Sequence, residues 1–189
     1  QLAAFPQTIW VSEDILRDLA DTQTPQGIVA VIQKEEVGLP DLRQGKFLFL
    51  EDVQDPGNVG TMIRTADAAG LTGVIVSDKS ADIYSLKTLR SMQGSHFHLP
   101  IYRMPVATFI EEAKKSNLPI LATTLSRDSK DYRELSPLEN FALVMGNEGQ
   151  GISPIMAESA NQLVHIGMKG RAESLNVAVA AGILMFYFS

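Results

Sequence analysis

The C-terminal stretch of this chain, residues 163–188, constrains the fold more than any other segment. An apolar run, LVHI, leads into a short polar loop, Lys169–Ser174, and then into a predicted helix with hardly a polar side chain, Val177–Phe188. A helix that is apolar on all sides must be buried on all sides. Its twelve residues are too few to span a bilayer, which needs roughly 17–25. We therefore expect a helix buried in a core or between two subunits.

The turn before this helix, Ser174-Leu175-Asn176, carries polar side chains where a helix leaves backbone N–H groups unpaired. Such N–H groups can bind a ligand. A polar loop that leads into a wholly buried helix therefore indicates a binding site built into an interface.

Composition excludes several classes of protein. The 189 residues are 45% apolar and 20% charged, which is ordinary for a globular chain. The absence of cysteine excludes disulfides, thiolate metal sites and cysteine nucleophiles, and is consistent with a cytoplasmic location. No run of 18 apolar residues occurs, so we expect neither membrane insertion nor export. The net charge of −6 argues against a protein that coats nucleic acid non-specifically, but it does not exclude a local basic patch.

The acidic excess is concentrated at the start of the chain, where residues 1–45 contain seven acidic and three basic side chains. A helical pattern at 12–21 and a short apolar run, Ile28–Ile32, precede a polar, turn-rich boundary at Leu39–Lys46. One helix and one strand cannot make a domain. We predict that residues 1–38 are the C-terminal part of one domain and that residues 39–189 form a second.

From Lys46 onward, short apolar runs alternate with helical patterns. Strands are predicted at 47–51, 73–77, 99–102, 119–124, 141–146 and 162–166, and helices at 58–69, 85–92, 106–116, 153–160 and 174–188. This alternation is typical of a parallel sheet with helices on both faces. Ligands of such sheets bind beyond the carboxyl ends of the strands.

The loop after the first of these strands runs from Asp52 to Arg64, and Asn58 in it is a good N-cap for the following helix. An apolar stripe on that helix leaves Arg64 on the opposite side. From the pattern alone, a solvent-facing arginine is the simpler interpretation of Arg64.

Two further loops contain residues suited to ligand binding. Met145–Gly151 is rich in glycine, which permits close backbone approach. Its spacing matches neither the dinucleotide-binding nor the P-loop pattern, so a tight connection and a binding loop both remain open. In the loop after the last predicted strand, Lys169 and Arg171 could hold phosphates.

These loops together resemble the motifs of the SpoU family of RNA ribose 2′-O-methyltransferases, in the SPOUT superfamily. DPGNVGTMIRTADAAG (55–70) is similar to the first motif, VMGNEGQGIS (144–153) to the second and IGMKGRAESLNVAVAAGI (166–183) to the third. Residues 82–100 resemble the connection between the first two motifs. Residues 8–33 resemble the end of the small RNA-binding domain that often precedes the catalytic domain.

The resemblance implies a parallel α/β sheet with a C-terminal deep trefoil knot, preceded by a fragment of a small α/β RNA-binding domain. It also implies S-adenosylmethionine as cofactor, a homodimer, and methylation of a ribose 2′-hydroxyl in ribosomal or transfer RNA. No metal is implied. The alternative is a non-catalytic RNA-binding or scaffold protein that keeps the fold.

The resemblance also assigns roles to individual positions. The catalytic positions are Arg64, Asn58, Glu148, Ser174 and Asn176. The cofactor-binding positions are Thr123, Thr124, Leu125, Gly146, Asn147, Gly149, Ile166, Met168 and Leu175. Apart from the resemblance, the charges of Lys87, Arg90, Lys169 and Arg171 make them candidate RNA contacts, and for Lys87 and Arg90 a solvated helix face is equally open.

The proton acceptor is left open by these assignments. The ribose hydroxyl must lose a proton as it attacks the methyl group. Arginine stays protonated in proteins, so Arg64 would need help to act as a base, or would stabilise the developing alkoxide instead. Glu148 is the more ordinary base. Of the histidines, His96 and His98 have no carboxylate cluster beside them, and His165 is interpreted as a core histidine with a satisfied hydrogen bond.

Overall fold

A computed structural model of the chain describes residues 8–20, 22, 24–33 and 37–189. The chain divides into two compact units, Gln1–Glu36 and Val37–Ser189. Every strand found in the described residues belongs to the second unit.

In the first unit, helix α1 spans Glu13–Ala20 and is stabilised by ion pairs from Arg17 to Glu13 and Asp14. The strand predicted at Ile28–Ile32 is wrong: these residues form no strand and are exposed, Val31 almost completely. A strand needs a neighbour for its backbone hydrogen bonds. The described residues of this unit supply none, so an apolar run alone does not form a strand there.

The second unit contains a seven-stranded sheet in the order β3-β2-β1-β6-β4-β7-β5, and every pair of neighbours is parallel. The strands are β1 Lys46–Leu50, β2 Gly73–Val76, β3 Ile101–Arg103, β4 Ile120–Thr123, β5 Lys130–Asp131, β6 Phe141–Met145 and β7 Gln162–His165. This confirms the predicted α/β fold with a parallel sheet.

Helices cover both faces of the sheet. They are α2 Pro56–Ala68, α3 Leu86–Met92, α4 Val106–Lys115, α5 Pro154–Ser159 and α6 Val177–Phe188. The buried side chains of α2, α3 and α6 share one core, and those of α4 and α5 share another. Leu48 and Leu50 of β1 point into the first core and Phe47 and Phe49 into the second. Successive side chains of a strand alternate between faces, so each apolar run supplies both cores.

Three helix and strand limits differ from the sequence prediction. The N-cap of α2 is Asp55, whose carboxylate accepts the N–H of Asn58, so Asn58 lies inside the helix and its side chain is available for other contacts. Helix α6 begins at Val177 rather than at residue 174, because the Asn176 side chain caps it. Strand β5 was not predicted, since two residues show no periodicity.

Helix α6 is not buried on all sides within one chain. One side packs on the first core, whereas Val179, Ile183 and Phe186 are 53%, 37% and 60% exposed. These three positions lie three or four residues apart and therefore share one side of the helix. The expectation of complete burial is wrong for a single chain, and an apolar stripe of α6 faces outward.

The chain crosses over itself near the carboxyl end of β7. Strand β7 lies between β4 and β5, which are joined by residues 124–129, so that loop must pass over β7. The N–H of Thr124 donates to the carbonyl of Val164 at 3.0 Å at one end of the loop. At the other end Ser129 Oγ lies 2.9 Å from His165 Nδ1. We call residues 124–129 the crossing loop.

Across the described ranges, no helix is long and apolar enough to cross a membrane.

Candidate active site

A cavity of about 620 Å³ opens at the carboxyl ends of β4, β6 and β7. Its walls come from the crossing loop, the loop after β6, the loop before α6 and the first turns of α6. All nine positions predicted to contact the cofactor line this cavity, namely Thr123, Thr124, Leu125, Gly146, Asn147, Gly149, Ile166, Met168 and Leu175. Glu148, Ser174 and Asn176 line it as well. The structure therefore brings the second and third sequence motifs to one place.

The loop after β6 is a tight hairpin held by Asn147. The backbone groups of Asn147 and Gly151 exchange two hydrogen bonds, of 3.0 and 2.9 Å. The Asn147 side chain donates to the carbonyl of Asp52 at 2.8 Å and accepts the N–H groups of Gly149 and Gln150. Any Cβ at position 146 would overlap the backbone of Gly151, so only glycine fits there. The Asn147 side chain thus shapes this loop, and its polar atoms are already engaged.

The segment that enters the cavity after β7 is fixed by an ion pair that sequence reasoning missed. Arg133 forms a two-pronged contact with Asp131, both bonds being 2.7 Å, and the N–H of Gly167 donates to the same carboxylate at 3.1 Å. These hydrogen bonds hold the pKa of Asp131 well below its usual range, and the bond from the Arg133 side chain contributes most. A Cβ at position 167 would overlap the Asp131 carboxylate. The ion pair therefore positions Ile166 and Met168 in the cavity wall.

A chain of side-chain hydrogen bonds joins the three motifs at the edge of the cavity. Asn176 Nδ2 donates to Asn58 Oδ1 at 3.1 Å, and Asn58 Nδ2 donates to Glu148 Oε1 at 3.1 Å. The other end of the Asn176 amide accepts the N–H groups of Ala178 and Val179 and so begins α6. Asn58, Glu148 and Asn176 thus form one unit, with each amide held in a defined orientation.

The Glu148 carboxylate accepts three hydrogen bonds. Two come from the backbone N–H groups of Gln54 and Asp55, at 3.2 and 3.1 Å, and the third comes from Asn58. Partial burial acts to raise the pKa of Glu148, but the hydrogen bonds from Asn58 and from backbone groups outweigh it and lower the pKa. Hydrogen bonds to the ionised form of an acid weaken it as a base. Glu148 is therefore better suited to hold Asn58 in place than to accept a proton.

Arg64 lies apart from this network. It is exposed on α2, and no Arg64 atom forms the cavity wall. Asn58 is six residues earlier on the same helix, about 9 Å along its axis, and its side chain bonds to Glu148 and Asn176 instead. Three of the five predicted catalytic residues thus line the cavity, namely Glu148, Ser174 and Asn176. Asn58 is hydrogen-bonded to two of these at its edge.

The basic residues expected to bind RNA have different environments. Lys87 Nζ lies 2.8 Å from Asp55 Oδ2, where it helps to fix the N-terminus of α2. Arg90 is exposed on α3, and Lys169 and Arg171 are exposed in the polar loop that leads towards α6. The last two therefore lie next to the cavity along the chain, close to Met168 and Ser174 in its wall.

Glu51 is a second carboxyl group beneath the site that the sequence did not reveal. It is 2% exposed at the end of β1, and its Oε2 accepts the N–H of Ser153 at 3.2 Å. Burial raises the pKa of Glu51, although hydrogen bonds from Ser153 act in the opposite direction. The contact connects β1 to the start of α5, directly after the hairpin of Gly146–Gly151.

The charge of the cavity limits what it can hold. No lysine or arginine among the described residues lines it, whereas the Glu148 carboxylate does. Nucleotide phosphates are usually held by cations or by phosphate-binding loops. The cavity has apolar walls with a few polar groups, and its edge carries an anion rather than a cation. These features fit a ligand that has no phosphate and carries a positive sulfonium. The residues present therefore fit S-adenosylmethionine.

The described residues contain no group of three or more His, Asp or Glu side chains that could hold a metal ion. His98 Nδ1 instead lies 3.3 Å from Asp67 Oδ2, and the His96 ring packs on Phe97.

Comparison with known proteins identifies the family. Residues 45–186 match the SpoU rRNA Methylase family. The chain is 44% identical over 181 residues to the 23S rRNA (guanosine(2553)-2′-O)-methyltransferase RlmP of Bacillus subtilis, covering 96% of this chain and 72% of that protein.

Two solved structures resemble the fold closely. The AdoMet-bound rRNA methyltransferase from Sinorhizobium meliloti superposes with a TM-score of 0.85 at 36% identity, covering 93% of this chain and 69% of that one. The SpoU methyltransferase AviRb from Streptomyces viridochromogenes, in complex with AdoMet, gives a TM-score of 0.83 at 32% identity, covering 98% and 74%. The chain therefore belongs to the SpoU family of S-adenosylmethionine-dependent RNA ribose 2′-O-methyltransferases.

Proposed function

We propose that this chain methylates the ribose 2′-hydroxyl of a guanosine in 23S ribosomal RNA, with the methyl donor bound in the cavity at the carboxyl ends of β4, β6 and β7. The observation that carries the proposal is the hydrogen-bonded unit of Asn58, Glu148 and Asn176, which ties all three motifs together at the edge of that cavity. The relative RlmP, 44% identical, supports the choice of ribosomal RNA.

S-adenosylmethionine, when bound, supplies a methyl group on a positively charged sulfur that an oxygen nucleophile can accept. The hairpin of Gly146–Gly151 and the segment Ile166–Met168 offer backbone groups and apolar walls to it. Ser174 and Asn176, exposed at the rim, are placed to contact the ribose.

Glu148 and Arg64 have separate roles in this proposal. Because its pKa is lowered and three donors already occupy it, the Glu148 carboxylate orients Asn58 rather than taking the proton. Arg64 stabilises the negative charge that develops on the attacking oxygen as a charged donor, and the hydroxyl proton passes to solvent water at the exposed rim of the cavity.

The direct test is to incubate the protein with 23S rRNA and radiolabelled S-adenosylmethionine. We expect the RNA to become labelled. The labelled RNA should resist alkaline cleavage next to the modified ribose, because a methylated 2′-oxygen cannot attack the adjacent phosphate. ATP should not bind, because the cavity presents no cation to its phosphates. No transfer to any ribosomal or transfer RNA, with cofactor binding intact, would favour the non-catalytic RNA-binding or scaffold alternative.

We further propose that the protein acts as a homodimer through the apolar stripe of α6. Val179, Ile183 and Phe186 are exposed in one chain, and a two-fold interface would bury each stripe against its copy. Phe186→Asp should give a monomer by light scattering. The matched control is Ile155→Asp, which places the same charge at an exposed apolar position of α5, on the other face of the sheet. A dimer that survives Phe186→Asp would place the interface elsewhere.

The crossing loop supports the proposal of a C-terminal knot. Strand β7 passes beneath the connection between its two neighbours, and the chain then continues to α6, which packs on α2. Stretching the chain by its two ends with optical tweezers tests this. A knotted chain should reach less than its full contour length, because a tightened knot retains some residues.

We also propose that residues 1–38 belong to an RNA-binding domain, as their resemblance implies. Deleting them should weaken binding of 23S rRNA fragments while leaving the affinity for S-adenosylmethionine unchanged. Equal RNA affinity with and without these residues would assign RNA recognition to residues 39–189 alone.

A further inference from the structure

The crossing loop forms one wall of the cavity and is attached at its two ends. Leu125 and Ser126 line the cavity, and residues 125–128 are exposed on their outer side. At the first end, Thr123 Oγ1 donates to the carbonyl of Val144 at 2.9 Å, and the Thr124 N–H donates to Val164. At the second end, the contact between Ser129 and His165 adds a side-chain attachment to the backbone pairing of β5 with β7.

The hydrogen bonds of Ser129 determine which ring nitrogen of His165 carries its proton. Ser129 Oγ lies 2.6 Å from the carbonyl oxygen of Ser126, which can only accept a hydrogen bond. A serine hydroxyl has one proton, so Ser129 must donate it there. Ser129 Oγ is then an acceptor towards His165, and the donor at 2.9 Å has to be the N–H at Nδ1.

We propose that His165 and Ser129 are positioning residues for the cofactor, forming a directional hydrogen bond that holds the crossing loop in place as a wall of the cavity. The proposal rests on the proposed function, because it takes S-adenosylmethionine as the occupant of that cavity. His165 is on β7, which is fixed in the sheet, whereas Ser129 is on the loop. The bond therefore anchors a residue of the crossing loop to a strand inside the sheet.

The experiment uses two removals and two conservative replacements. Ser129→Ala and His165→Phe remove the bond. Ser129→Thr keeps the hydroxyl, and His165→Asn keeps an N–H donor near the position of Nδ1. Binding of S-adenosylhomocysteine is measured by calorimetry, turnover is measured at saturating cofactor, and hydrogen exchange is measured for residues 124–129.

We expect both removals to weaken binding by about three- to tenfold, the usual effect of losing one hydrogen bond, and to speed hydrogen exchange in the crossing loop. Both replacements should restore binding to within about twofold of the original protein. Turnover at saturating cofactor should change less than affinity, because a saturating concentration offsets a loss of cofactor binding. Nitrogen-15 spectra of labelled histidine should show the proton of neutral His165 on Nδ1.

The outcomes separate this inference from the proposed function. If the original protein binds no S-adenosylhomocysteine, the proposed function and the cofactor role of this bond are both overturned. If it binds but Ser129→Ala binds equally well, or if neutral His165 carries its proton on Nε2, only the present inference is overturned. Failure of the two replacements to restore binding would also overturn it, since the effect would then be one of general packing.

Discussion

Asn58 and Glu148 are 90 positions apart in the sequence and are joined by a hydrogen bond of 3.1 Å between Nδ2 and Oε1. The bond connects α2 to the hairpin after β6. Because the same Asn58 amide accepts from Asn176 through its oxygen, its orientation is fixed from both sides. A change at either end should therefore disturb the whole unit.

We expect Asn58→Ala and Glu148→Gln each to lower turnover by at least about tenfold. Asn58→Ala should leave cofactor affinity within about threefold, a split typical of groups that act in the transition state. The double variant should be little worse than either single one, because residues that work as a unit are not additive. Gln150→Ala, in the same hairpin, is the control. Fully additive losses in a double-mutant cycle would show that the two residues act independently.

Glu51 provides a pH-dependent prediction. Burial raises its pKa above the ordinary value of 4.5, so the folded state holds this proton to higher pH than the unfolded state does. The associated stability is fully present below the ordinary pKa and is lost as pH rises through the raised pKa. Glu51→Gln stays neutral and can still accept the N–H of Ser153. It should be more stable than the original protein at about pH 8 and equal to it near pH 4 in urea unfolding.

The control for this prediction is Glu158→Gln, at an exposed position of α5. It should leave the pH dependence of stability unchanged. If Glu51→Gln were instead less stable at pH 8, the carboxylate would contribute more through its hydrogen bonds than its burial costs.

Replacing Arg64 should affect methyl transfer without affecting cofactor binding. Because it lies outside the cavity, Arg64→Ala should keep cofactor affinity within about threefold and lose methyl transfer by roughly 10²–10⁴. Arg64→Lys should not restore it, since a point charge cannot replace a planar guanidinium. Thr61→Ala, one turn earlier at another exposed position of α2, is the matched control. Near-normal turnover of Arg64→Ala in a single-turnover assay would remove this residue from the mechanism.

Substitution by alanine should weaken cofactor binding strongly at one glycine of the hairpin and only slightly at another. A Cβ at Gly146 would overlap the backbone of Gly151, whereas a Cβ at Gly149 would meet only Asn147 Oδ1, at an ordinary 3.7 Å. Gly146→Ala must therefore open the hairpin and should weaken cofactor binding at least tenfold, about 1.4 kcal/mol. Gly149→Ala should bind within about threefold in the same calorimetric titration. Equal effects would mean that the shape of the hairpin does not determine cofactor binding.

The parts of this molecule that sequence predicts best depend on local patterns. The strands β1, β2 and β6 are recognisable as short continuous apolar runs, because they are buried on both faces. The stripe on α2 follows from helical periodicity. Strand β5 has two residues and no period. The run Ile28–Ile32 has the composition of a strand, but a ladder requires a second strand, and composition carries no information about that.

The site depends on contacts between residues that are distant in the sequence, and fewer of these contacts could be predicted from the sequence alone. The cavity positions came from resemblance to known motifs and not from spacing. Asp131 was missed because its partner Gly167 lies 36 residues away, and Glu51 because Ser153 lies 102 residues away. Glu148 was considered as a base from its residue type. Only the three donors around it show that its pKa is lowered instead.

RNA binding should distinguish the two classes of basic residue. Lys169 and Arg171 are exposed next to the cavity loop, and each phosphate contact that they make would release counterions on binding. Lys169→Ala and Arg171→Ala should each weaken RNA binding and reduce the slope of log affinity against log salt by roughly 0.7–0.9. Lys87→Ala should change the slope less, because Lys87 is paired with Asp55 at 2.8 Å. The measurement is a titration of a 23S rRNA fragment at several salt concentrations. A larger slope change for Lys87→Ala than for the loop residues would place the RNA along α3 instead.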